Sequence, residues 1–205
     1  VLAHLLIMLF ASTAWAQVTE RVVDIPTRPG VTQRIVLLSP NNPKAAVILF
    51  PGGHGGLQIS SNGSFKWGEG NFLVRTREMF AAQGLLVAVV DAPSDRQSAP
   101  YLGWFRQKPE HVADIKAVIA WLKQQAKIPV WLIGTSRGTQ SAAFVATQLP
   151  LAEGGATGIL LMGLRGDFHY RGTMLEHKND EQARNDFLRN AKEDLAGSAW
   201  AARIK

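Results

Sequence analysis

Gly134-Thr135-Ser136-Arg137-Gly138 places a serine midway between two glycines. A serine hydroxyl is a weak nucleophile until a neighbouring base takes its proton and the backbone holds it clear of surrounding atoms. Glycines two residues to either side allow that display. Without Cβ atoms there, the chain can close into a strand-to-helix bend that leaves the middle side chain outside. The N–H of Arg137 would then open the helix, where partial positive charge favours a developing oxyanion. A second stretch, Phe50-Pro51-Gly52-Gly53-His54-Gly55-Gly56, is rich enough in glycine to leave backbone N–H groups accessible. Donors of this kind are each worth about 3 kcal/mol to a tetrahedral acyl intermediate. Together the two stretches suit attack on a carbonyl carbon, with Ser136 as the attacking group.

The elements around them have to hold both stretches at one rim. Ala45 to Phe50 is an unbroken apolar run that ends on the glycine loop, and Pro129 to Gly134 is a β-branched run that ends on the serine turn. Such runs suit strands buried on both faces. Val22 to Ile25 and Gln33 to Leu38 read as two earlier strands around the turn residues Pro29-Gly30, with Leu85 to Val90 and Gly158 to Leu164 as further strands. Between them the spacing predicts a helix from Asn71 to Gln83 capped by Gly84. A second starts at Pro109, with Val112, Ile115, Val118, Ile119 and Leu122 on one face, and a third opens near Arg137 and runs to Leu149. Strands alternating with helices predict an α/β chain whose sheet is mostly parallel and covered on both sides.

In this order, strand, serine turn and helix resemble the nucleophile elbow of the α/β-hydrolase family. The glycine loop is similar to the oxyanion loop that follows the family's third strand. The resemblance covers residues 18 to 164. It implies an α/β-hydrolase-like core, incomplete at its C-terminal side, with Ser136 as nucleophile and an oxyanion hole formed near Gly53, His54 and Arg137. Pro51 stands where the family's H-G-G-G loop has its histidine, so Gly53 and His54 are both candidates for the loop donor. The family orders its triad serine, acid, histidine. After Ser136 the histidines are His169 and His177, and Asp167 with His169 is the acid–base pair that the resemblance offers. His54 and His111 precede the serine, out of that order.

A dinucleotide fingerprint starting at Gly53 would need glycine where Gln58 stands, and no Gly-Lys-Ser/Thr is present for a phosphate loop. No His-Glu-x-x-His and no cysteine occur, so the sequence implies neither metal nor other cofactor. The net charge of +6 is dispersed, without basic runs interleaved with aromatics, which argues against nucleic acid and leaves a small acyl compound as the expected partner. Residues 1–16, with the apolar run Leu5 to Phe10 and Ala14-Trp15-Ala16, read as part of a cleaved signal peptide. The expectation is a secreted or periplasmic protein with no lasting membrane insertion. Residues 17–164 form the core. Residues 165–205 read as a helical tail: 15 of 41 positions are charged, and Ala183, Phe187, Ala191 and Leu195 form one stripe. The leading expectation is a secreted serine hydrolase acting on esters or related acyl compounds. The competing one is an inert hydrolase-like core, truncated or frameshifted near 165, that acts as a binding module. The loop aromatics Tyr101, Trp104 and Phe105 are read as packing in the first instance, and otherwise as the wall of an acyl pocket.

Overall fold

The protein, described by a computed structural model over residues 18–162, builds its sheet from six strands. These are β1 (Thr19–Arg28), β2 (Val31–Ser39), β3 (Ala45–Phe50), β4 (Leu85–Val90), β5 (Val130–Thr135) and β6 (Gly158–Met162), in the order β1-β2-β4-β3-β5-β6. β4, β3, β5 and β6 run parallel, whereas β1 pairs antiparallel with β2 and β2 antiparallel with β4. Crossovers between the parallel strands carry the helices α1 (Phe72–Arg75), α2 (Arg77–Ala82), α3 (Pro109–Gln125) and α4 (Gly138–Gln148).

The strands divide their side chains by the two-residue period of the pleat. Ala46, Ile48 and Phe50 of β3 join Ile115, Val118, Ile119 and Leu122 of α3 and Ala142 and Val145 of α4 in one core. Val47 and Leu49 face the other way, onto Leu73, Val74 and Ala81 of α1 and α2. A strand with both faces covered must be apolar throughout, which is why its sequence does not alternate. The end of β1 is tied to α3 by the fully buried Asp114, which accepts from Arg28 Nε at 2.8 Å, Arg28 Nη2 at 3.0 Å and Thr27 Oγ1.

The helix expected from Asn71 to Gln83 is two helices. The hydroxyl of Thr76 donates to the Phe72 carbonyl at 2.6 Å, and Thr76 leaves helical geometry at φ −101°, ψ 4°. A threonine bonding back to the preceding turn competes with the helix ladder, and here it ends α1 after one turn. The signal peptide and the charged tail, including Asp167, His169 and His177, lie outside the described residues. No described helix is long and apolar enough to cross a membrane.

Candidate active site

β5 delivers the chain into the serine turn and α4 carries it away. Ser136 sits between them at φ 49°, exposed to solvent. A non-glycine residue in this left-handed region costs about 1–2 kcal/mol, and such strain persists only where the surroundings over-determine it. The surroundings here are specific. A Cβ on Gly134 would come 2.5 Å from the Gly138 carbonyl oxygen, and one on Gly138 would come 2.0 Å from the Phe50 carbonyl oxygen. The two glycines therefore do different work: Gly134 lets the turn fold over itself, and Gly138 lets α4 start against the end of β3. The Ser136 N–H donates to the Met162 carbonyl at 3.1 Å, and its own carbonyl accepts from Thr139 Oγ1 at 2.6 Å.

The glycine loop reaches the same rim from β3. A Cβ on Gly52 would stand 3.0 Å from the Ser136 Cβ, so serine and loop are in direct contact. Gly53 has φ 67°, Gly55 has φ 79°, and both residues that follow the histidine are needed for packing. A Cβ on Gly55 would meet the Arg106 guanidinium at 2.5 Å, and one on Gly56 would meet the Tyr101 ring at 2.1 Å. His54 stacks on Tyr101 with ring centroids 4.4 Å apart, its Nδ1 accepts from the Gly56 N–H at 3.0 Å, and its carbonyl accepts from Leu102 N–H at 3.0 Å. The segment from 101 to 106 thus forms the floor on which the loop rests. Phe105 is packed with Ala92 and Leu102, Tyr101 is stacked on the loop histidine, and Trp104 is 64% exposed.

Arg106 is the least expected member of this arrangement. It is buried, and no carboxylate among the described residues pairs with it. Its Nη2 donates to the carbonyls of Pro51 (3.1 Å) and Gly53 (3.4 Å), and Nη1 donates to Ser141 Oγ (2.8 Å). In a trans peptide the N–H points opposite to the C=O. Holding those two carbonyls therefore turns the N–H groups of Gly52 and His54 away from the guanidinium. Burial, with some repulsion from Arg137, pushes Arg106 down to about 9, still charged at neutral pH. A cation behind the loop and a second at exposed Arg137 make the rim favourable to developing negative charge.

Asp91, at the end of β4, fixes the far side of the loop. Its buried carboxylate accepts from Leu57 N–H (2.7 Å), Gln58 N–H (3.1 Å), Ile59 N–H (2.9 Å) and Ala92 N–H (2.7 Å). Replacing it by asparagine turns one acceptor into a donor that faces other donors. Asp91→Asn is expected to lower stability by about 3 kcal/mol, since each orphaned buried donor costs about 1–3 kcal/mol. Urea unfolding of the variant checks this; a loss below about 1 kcal/mol would mean that the loop is held by other contacts.

The histidines within the described region do not bond to the serine. His111 is buried on α3 between Phe50 and Phe105, at centroid distances of 6.1 and 5.7 Å, and neither ring nitrogen has a hydrogen-bond partner among the described residues. Burial first, then the charges of Arg106 and Arg28, push its imidazole from 6.5 down to about 3. The unfolded chain takes up this proton first, so stability is lost as pH falls below about 6.5, by about 1.4 kcal/mol per unit. His111→Phe should flatten that component, read as the difference between variant and wild-type urea midpoints at pH 7 and pH 5. An unchanged difference would count against it.

Of the residues expected to act, Ser136, Gly53, His54 and Arg137 fall at one rim, while Asp167 and His169 lie outside the described residues. Arg106 and Asp91 were not marked by sequence as parts of the site, and Tyr101 was marked as packing or a pocket wall, not as a support of the glycine loop. The signals were slight: Asp91 stands directly after an apolar strand, and Arg106 lies in the aromatic loop before α3. No group of three or more His, Cys, Asp or Glu side chains placed to hold a metal occurs among the described residues.

No family model and no curated protein matches the chain in sequence. Solved structures match it in shape. A cold-adapted esterase from an Arctic intertidal metagenomic library, in its PEG-bound complex, aligns with 89% of this chain and 70% of its own, at 17% identity and a TM-score of 0.52. Brefeldin A esterase, a bacterial homologue of human hormone-sensitive lipase, aligns with 69% of this chain at 18% identity and a TM-score of 0.46. A lidless α/β serine hydrolase from Xanthomonas campestris aligns with 84% of this chain and 78% of its own, at 16% identity and a TM-score of 0.48. The chain spans 38% of the length of brefeldin A esterase. At such low identity the likeness concerns architecture alone; the alignment at a TM-score of 0.52, with the sheet order β1-β2-β4-β3-β5-β6, gives the chain an α/β-hydrolase-like fold.

Proposed function

We propose that the chain is a serine hydrolase acting on esters or related acyl compounds, with Ser136 as its nucleophile. The observation that carries this reading is the strained, exposed Ser136 packed against Gly52. Strain of this kind is retained where a side chain has to be displayed, and an ordinary βα turn has no use for it. In the reading, Ser136 Oγ attacks the acyl carbon as its proton passes to the base, the carbonyl electrons move onto oxygen, and N–H groups of the Gly53–His54 segment and of Arg137 hold that oxygen. Collapse of the intermediate expels the alcohol, which takes a proton from the base, and water then releases the acid.

The base is assigned to the chain beyond β6. Ser136 is bonded to Met162 itself, and Asp167 and His169 follow five and seven residues later. Seven residues span at most about 25 Å, ample for a return to the serine. The signal-like residues 1–16 extend the reading to an exported enzyme. A panel of p-nitrophenyl esters of graded acyl length, set beside the matching anilides, tests the function. Turnover of short esters that is lost in His169→Ala supports it. No turnover of any ester by the full chain contradicts it.

A further inference from the structure

Asn71 caps α1: its Oδ1 accepts the Leu73 N–H at 3.3 Å. That bond decides which way the amide faces, because the oxygen is committed to the helix and Nδ2 must lie on the other side. The other side is the serine. Nδ2 is 3.3 Å from the point that a Cβ on Gly52 would occupy, and Ser136 Cβ is 3.0 Å from that same point, so the two atoms lie within about 6.3 Å of each other. Nδ2 has no hydrogen-bond partner among the described residues, and Asn71 is only partly covered. A donor with fixed orientation and spare capacity therefore stands beside the proposed nucleophile, separated from it only by the absent side chain of Gly52.

We propose that Asn71 contacts substrate at this site, its side-chain amide donating to the acyl oxygen as negative charge develops there. The inference rests on the reading of Ser136 as a nucleophile. Asn71 adds a third donor to the backbone pair, and a side chain at residue 52 would crowd the gap between amide and serine.

Fluorophosphonate labelling provides the test, since the serine oxygen bonds to phosphorus, fluoride leaves, the serine proton passes to the base, and the phosphonyl oxygen occupies the oxyanion position. Labelling rates and thermal melts would be compared for wild type, Asn71→Asp, Asn71→Ser and Asn71→Ala. Asn71→Asp keeps an acceptor for Leu73 and puts a negative charge at a helix N-terminus, so its melting temperature should hold or rise. Its labelling rate should nevertheless fall about 100-fold, the loss typical of one oxyanion donor. The gap to wild type should narrow as pH falls through the carboxylate range and the introduced charge is removed. Asn71→Ser keeps the cap and should lose about tenfold, with water standing in for the amide. Wild-type rates in Asn71→Asp and Asn71→Ser, with a loss confined to a less stable Asn71→Ala, would make Asn71 a helix cap and overturn the proposal. A wild-type chain that does not label at all would overturn the reading of Ser136, and this inference with it.

Discussion

Ser136→Ala is expected to remove ester turnover and to leave the fold as stable as wild type. The hydroxyl makes no hydrogen bond among the described residues and faces solvent, so its removal orphans no partner among them. Alanine inherits the same backbone strain at φ 49°, whereas glycine does not. Ser136→Gly should therefore unfold at a higher urea concentration than Ser136→Ala, by about 1 kcal/mol, while being equally inactive. Loss of a triad member typically lowers turnover on the order of a million-fold, which leaves only binding and oxyanion effects. A Ser136→Ala chain that retains a tenth of wild-type turnover would place the chemistry elsewhere.

Gly138→Ala is expected to destabilise the fold and disable the serine turn together. Its Cβ would lie 2.0 Å from the Phe50 carbonyl oxygen, 2.7 Å from the Phe50 carbonyl carbon and 2.9 Å from the Pro51 oxygen. All three atoms are backbone, so no rotamer change relieves the clash. Either α4 withdraws from the sheet or the end of β3 moves, and both shift Ser136 from the glycine loop. Overpacking a rigid site costs about 3 kcal/mol or more. Urea unfolding should show that loss, and the folded fraction should react with acylating reagents far more slowly than wild type. A midpoint within about 0.5 kcal/mol of wild type would mean that the turn has room that these distances do not allow.

How far the sequence foretold these features depended on how local each one is. β3 and β4 were legible to the residue because a strand covered on both faces is apolar from end to end. β1 and β2 were read too short, since β1 carries Glu20, Arg21 and Asp24 on an exposed edge and its full length comes from pairing with β2. The break at Thr76 was hidden because threonine is tolerable in a helix until its hydroxyl bonds back to the turn before. The serine turn was legible because its steric demand falls on glycines two residues away. The supports of the glycine loop were not. Arg106 meets Pro51, and Asp91 meets Leu57, across long stretches of chain, and a lone arginine in a loop or aspartate after a strand reads equally well as a solvated surface residue. Asn71 was read as the start of a helix, which it is. Its second role follows only from Gly52 and Ser136 being brought together by neighbouring parallel strands.

The most direct measurement is the site of covalent modification after the full chain is incubated with a fluorophosphonate, read by mass spectrometry of its proteolytic peptides. One adduct, on Ser136, absent after heat denaturation and absent from Ser136→Ala, is the result predicted by a folded elbow that activates its serine. An unmodified chain, or equal modification of wild type and Ser136→Ala, would contradict it and leave an α/β-hydrolase-like fold without the chemistry.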